Sequence, residues 1–137
     1  LIEMVLQKGR PYIYSTALPR CIIDATRKSL KILVRDNKKY EKLHYNISYF
    51  NQICKKKGIN ISFSDVPIKT YHVGDPHLTM KLRDRFLKYG ILVQAIRYPT
   101  VPKGNDKIRI TITANHVKKD IDNLLNTLEN VICEKSE

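Results

Sequence analysis

Arg109 lies in the run Lys107-Ile108-Arg109-Ile110-Thr111-Ile112-Thr113, where isoleucines alternate with polar residues. Side chains on a strand point alternately to the two faces of a sheet, so Arg109 projects away from Ile108 and Ile110. A guanidinium carried on a rigid strand can grip a carboxylate through two parallel hydrogen bonds, a geometry that an ammonium cannot match. A strand arginine that simply faces solvent satisfies the same spacing. Upstream, Arg97-Tyr98-Pro99-Thr100-Val101-Pro102-Lys103-Gly104 reads as a loop stiffened by two prolines. Such a loop can present a hydroxyl to a substrate, and Thr100 is the candidate; a turn threonine bonded to its own backbone is the alternative. Ser15 and Thr16 stand shortly before Pro19. Adjacent hydroxyls near a helix N-terminus can hold a phosphate, because unpaired backbone N–H groups and the helix dipole already favour an anion there; plain N-capping is the other reading. His44, His72, His77 and His116 show no metal-ligand spacing and read as structural.

These residues need elements to position them. Residues 1–9 read as the end of a helix, Tyr12-Ile13-Tyr14-Ser15 as a strand-like stretch, and Pro19 as the first residue of a second helix ending near Asp36-Asn37. Tyr40, Leu43, Ile47, Phe50 and Cys54 recur at spacings of three and four, which places them on one helix face, with Gly58 as the stop. Strands are expected near 59–64, 68–73, 91–96 and 107–113. Asp75-Pro76 is an N-cap followed by a first-turn proline, opening a helix that ends at Gly90. A last helix carries Val117, Ile121, Leu124, Leu125, Leu128 and Ile132. From residue 59 onward the order strand–strand–helix–strand–strand–helix predicts an α+β layer, an antiparallel sheet with helices packed on one face.

The chain has 137 residues, 25 Lys and Arg against 13 Asp and Glu, and a formal charge of +12. That excess suits anionic partners: nucleic acid, phosphorylated cofactors, acyl-CoA or an acidic sibling domain. The basic residues are scattered, however, and no basic stripe interleaved with aromatics or zinc-finger spacing accompanies them, so the expectation is no nucleic-acid partner. A basic nucleic-acid-binding module is the alternative of a different class, and it would show affinity falling steeply with salt. Cys21, Cys54 and Cys133 form no CxxC pair and read as reduced thiols of a cytoplasmic protein. No apolar run approaches the roughly 20 residues that span a bilayer, so no membrane partner is expected. The chain opens on Leu1 within a stretch that reads as helix, which leads to the expectation that sequence precedes it.

Three ordered blocks carry a family resemblance. Val93-Gln94-Ala95-Ile96-Arg97-Tyr98-Pro99-Thr100-Val101-Pro102, followed by Lys107-Ile108-Arg109-Ile110-Thr111, resembles the C-terminal signature of the α-oxoamine synthases, pyridoxal-phosphate enzymes related to class II aminotransferases. Tyr12 to Pro19 is similar to the family's segment after the cofactor lysine, and Val73-Gly74-Asp75 with the helix ending in Tyr89-Gly90 resembles the approach to the signature. Arg20 and Asn105 depart from the family's usual proline and threonine.

The resemblance implies the C-terminal small domain of a fold-type I enzyme: residues 1–18 a remnant of the large pyridoxal-phosphate domain, residues 19–137 the small α+β domain with its connecting helix. It implies pyridoxal 5'-phosphate as cofactor, a homodimer, and a Schiff-base lysine upstream of Leu1, so that this chain alone is inactive. By the same resemblance Arg109 binds the amino-acid carboxylate, Thr100 lies at the substrate site, and Ser15 and Thr16 approach the cofactor phosphate, Thr16 being the first candidate of the two. The Ala95-Ile96-Arg97 form, with Thr113-Ala114-Asn115-His116 and Asp120-Ile121-Asp122, is most similar to the branch that condenses L-alanine with a pimeloyl thioester, with loss of CO2, on the way to biotin. The branches that make 5-aminolevulinate or transfer acetyl to glycine are the alternatives.

Overall fold

A computed structural model describes residues 1–133 of the chain. It divides into two compact units, Leu1–Asn37 and Lys38–Glu137. The first holds α1 (Ile2–Lys8), α2 (Arg10–Ile13) and α3 (Arg20–Arg35). The second holds α4 (Lys38–Lys56), β1 (Ile68–His72), α5 (Pro76–Lys88), β2 (Gln94–Ile96), β3 (Lys107–Thr111) and α6 (Lys118–Cys133).

In the first unit no helix buries a residue. The expected strand-like stretch at Tyr12–Ser15 is instead the end of a helical turn. Pro11 sits in the first turn, where its missing N–H has no helical partner to lose. Local bonds from Ile13 N–H to Gly9 O at 3.0 Å and from Tyr14 N–H to Arg10 O at 3.0 Å then decide the backbone. β-propensity carries little force without a strand to pair with. Pro19 is the N-cap of α3 and Arg20 its first residue, one position later than expected. Ile22, Ile23, Leu30, Leu33 and Val34 keep the helical spacing and are all exposed.

In the second unit the sheet order is β1-β3-β2, antiparallel throughout. This is the antiparallel sheet with helices expected from the order of elements. Ile108 and Ile110 face the core with Ile47, Phe50 and Cys54 of α4, Leu82 and Phe86 of α5, and Ile121, Leu125 and Leu128 of α6. Tyr40, expected on the buried face of α4, is 49% exposed at the helix start. Both α4 and α5 end on a glycine in the left-handed region, Gly58 at φ 66° and Gly90 at φ 72°. The next residue returns its N–H to the last turn, Ile59 to Cys54 O at 3.0 Å and Ile91 to Phe86 O at 2.9 Å. Asp75 caps α5 as expected, its carboxylate accepting from Leu78 N–H at 2.6 Å.

Two strands fall short of their expected spans. Residues 59–64 bury Ile59 and Ile61 but form no ladder. One backbone bond, Ser62 N–H to Thr70 O at 3.1 Å, reaches β1, and the Ser62 hydroxyl rather than a carbonyl accepts from Thr70 N–H at 2.8 Å. Residues 91–93 likewise bury Val93 while only Gln94–Ile96 pairs with β3. In both cases apolar runs mark burial, and burial does not require a paired backbone.

Cys21 is exposed and Cys54 buried, both as free thiols; the side chain of Cys133 lies outside what is described. Among the described residues no group of three His, Cys, Asp or Glu side chains could hold a metal ion. No described helix is long and apolar enough to cross a membrane.

Candidate functional site

Arg109 is on the central strand, and its neighbours follow from the register: Thr70 of β1 on one side and Gln94 of β2 on the other. Because Ile108 and Ile110 are buried, Arg109 points from the opposite sheet face, as its alternation required. The Nη2 group donates a hydrogen bond to Gln94 Oε1. The Nε atom is buried and has no hydrogen-bond partner among the described residues. The guanidinium is therefore tethered at Nη2, while a bidentate grip on a carboxylate would need two of its N–H groups side by side and open to the ligand.

Thr100 belongs to the same hairpin. β2 and β3 are joined by residues 97–106, and Thr100 is exposed on that connection. Its N–H bonds to Arg97 O at 2.9 Å across a turn containing the cis Tyr98-Pro99 peptide. The loop is braced by contacts within itself and by the end of β1. His72 Nε2 lies 3.0 Å from Gly104 O. The Lys103 ammonium stands 5.5 Å from the centre of the Tyr98 ring. Asp106, only 1% exposed, accepts from Tyr98 N–H at 3.1 Å through Oδ1, and its backbone carbonyl accepts from Val73 N–H at 2.8 Å and Gly74 N–H at 2.9 Å.

Ser15 and Thr16 are exposed and lie between α2 and α3 in the first unit. Among the described residues no side chain caps the start of α3, whose N-cap is Pro19.

The sequence reading missed two residues that shape this site. Gln94 sits between Val93 and Ala95, and the parity that placed Arg109 also places Gln94 on the same face, so its signal was present in the strand pattern. Asp106 gave none: next to Gly104-Asn105 it looks like a turn residue, and only burial reveals that it ties the loop down.

The aminotransferase class I and II model matches residues 1–128. Curated relatives named 8-amino-7-oxononanoate synthase include that of Pseudomonas syringae, 41% identical over 133 residues. That of Nitrosococcus oceani is 40% identical over 132 residues. These alignments cover 94% and 96% of this chain, and 33% and 35% of the relatives. The chain thus spans about a third of the length of the curated relatives it matches. A crystal structure of 8-amino-7-oxononanoate synthase from Francisella tularensis superposes with a TM-score of 0.80 at 28% identity, over 99% of this chain and 40% of that one. A serine palmitoyltransferase from S. paucimobilis, solved with bound PLP and myriocin, shares the fold with a TM-score of 0.79 at 24% identity, over 94% of this chain and 33% of that one. The resemblance to α-oxoamine synthases read from the three sequence blocks is borne out by these relatives, and the chain belongs to the aminotransferase class I and II family.

Proposed function

We propose that this chain is the C-terminal part of an 8-amino-7-oxononanoate synthase, a pyridoxal-phosphate-dependent acyltransferase. The reaction condenses L-alanine with pimeloyl-CoA or pimeloyl carrier protein, with loss of CO2, in biotin biosynthesis. The observation that carries the reading is Arg109, a guanidinium that leaves the central strand on the face opposite Ile108 and Ile110 and is tethered to Gln94. The identity of 36–41% to relatives bearing that name supports the choice of branch.

The residues present suit parts of such a site. Arg109 binds and orients the alanine carboxylate, and Thr100 places a hydroxyl beside the substrate from the braced loop. Pyridoxal phosphate, when bound, supplies the electron sink for breaking bonds at the amino-acid α-carbon. Its phosphate suits the exposed hydroxyls of Ser15 and Thr16, because the uncapped start of α3 adds backbone donors and a favourable dipole. In this reading residues 1–18 belong to the large cofactor domain and 19–137 to the small domain with its connecting helix. The Schiff-base lysine then lies outside this chain, which is inactive by itself, and the hydroxyls serve the cofactor across a homodimer interface. The free thiols of Cys21 and Cys54 suit the reducing cytoplasm.

The test is reconstitution of the complete enzyme with pyridoxal phosphate, followed by mass detection of 8-amino-7-oxononanoate and CO2 from L-alanine and pimeloyl-CoA. Product formation is the expected result. Turnover only with glycine and a succinyl or acetyl thioester would reassign the chain to a sister branch.

A further inference from the structure

Gln94 stands directly across from Arg109 in the β2–β3 register, on the sheet face opposite buried Ile108 and Ile110. Its backbone holds the strand pairing while its side chain is exposed, so the amide is not needed to fill the core. The Oε1 atom nevertheless accepts from Arg109 Nη2, and the Nε of the same guanidinium is buried with no partner among the described residues. The geometry points to Gln94 as the positioning residue that presets Arg109 for the substrate carboxylate. This inference rests on the carboxylate-clamp role of Arg109 proposed above.

The chemistry of the amide explains why glutamine suits the position. Arginine loses rotamer freedom when it grips a ligand, and a guanidinium already tethered at one nitrogen has less left to lose. A neutral acceptor can tether it without neutralising its charge, which stays available to the incoming carboxylate. A glutamate of the same shape would tether the guanidinium equally well but pair with it as an ion, and the substrate would have to displace that pair. Gln94 thus sets the direction of the guanidinium, while Arg109 supplies the charge.

The experiment uses the complete, cofactor-loaded enzyme and compares wild type with Gln94→Ala, Gln94→Glu and Arg109→Ala. L-Alanine affinity is measured by calorimetry without thioester, and KM for alanine, KM for the thioester and kcat are measured separately. Loss of one hydrogen bond to a charged group predicts about tenfold weaker alanine binding in Gln94→Ala, with kcat and thioester KM within about twofold of wild type. Gln94→Glu is expected to weaken alanine at least as much despite its equal size, and L-alaninamide, which lacks the carboxylate, should bind all Gln94 variants alike. A merely structural role would spare the isosteric Gln94→Glu. If Arg109→Ala weakens alanine while both Gln94 variants bind it as wild type does, the positioning role is overturned and the clamp stands. If Arg109→Ala leaves alanine affinity intact, the clamp is overturned and the role of Gln94 with it.

Discussion

The buried carboxylate of Asp106 accepts the backbone N–H of Tyr98 at 3.1 Å, and so closes the loop 97–106 at its base. The same residue's carbonyl takes the N–H groups of Val73 and Gly74, which joins the loop to the end of β1. Removing the carboxylate leaves the Tyr98 N–H without its acceptor. Asp106→Ala is expected to destabilise the fold by about 1–3 kcal/mol in urea denaturation. Asp106→Asn retains a carbonyl oxygen for Tyr98 and is expected to cost less.

Arg109→Lys keeps the positive charge but removes the planar fork. If Arg109 grips a carboxylate through two parallel bonds, the lysine variant of the complete enzyme should bind L-alanine about 10- to 100-fold more weakly, because a charge-assisted bond is lost. Thermal stability should hardly change, since the side chain leaves from the face opposite the core. Alanine titration beside a melting curve separates the two effects.

The core face of the sheet carries an ionisable group of its own. Lys69 is buried, pairs through its strand with Ile110, and donates from its ammonium to Ser64 O. Burial holds its pKa below the usual 10.5. Between that lowered value and 10.5 the unfolded chain binds a proton that the folded chain lacks, so this group makes stability rise with pH. Lys69→Met removes that rise. Measured against pH by urea denaturation, wild type should therefore gain on the variant as pH climbs toward 10.5.

Cys54 acts in the opposite sense. Burial pushes its thiol from 9.0 to about 11. Between those values the folded chain keeps a proton that the unfolded chain gives up, and its contribution to stability is lost as pH rises from about 9 through about 11. At pH 8 the native thiol stays protonated and shielded. Iodoacetamide should label exposed Cys21 and spare Cys54 until denaturant is added, as read by peptide mass mapping.

Phe50 and Tyr40 share the spacing that suggested one buried face of α4, yet Phe50 is 0% exposed and Tyr40 49%. Phe50→Ala should cost about 3–5 kcal/mol through lost burial and the cavity left behind. Tyr40→Ala should stay within about 0.5 kcal/mol of wild type. Equal costs in denaturation would contradict this packing.

Much was legible from the chain itself because it depends on local chemistry. The isoleucine alternation put Arg109 on the face opposite Ile108 and Ile110, the Asp75-Pro76 pair announced α5, and Gly58 and Gly90 marked helix ends through the φ they tolerate. The signature around Thr100 and Arg109 marks the family in the order of residues alone. Other features were settled only when distant segments met. Ile59, Ile61 and Val93 are buried against residues far away in the chain without joining a ladder among the described residues. Asp106 is an ordinary turn residue in one dimension and a buried anchor in three, because its partners Val73, Gly74 and Tyr98 come from separate stretches. The contact between Gln94 and Arg109 depends in the same way on register, a relation between strands that neither strand encodes alone.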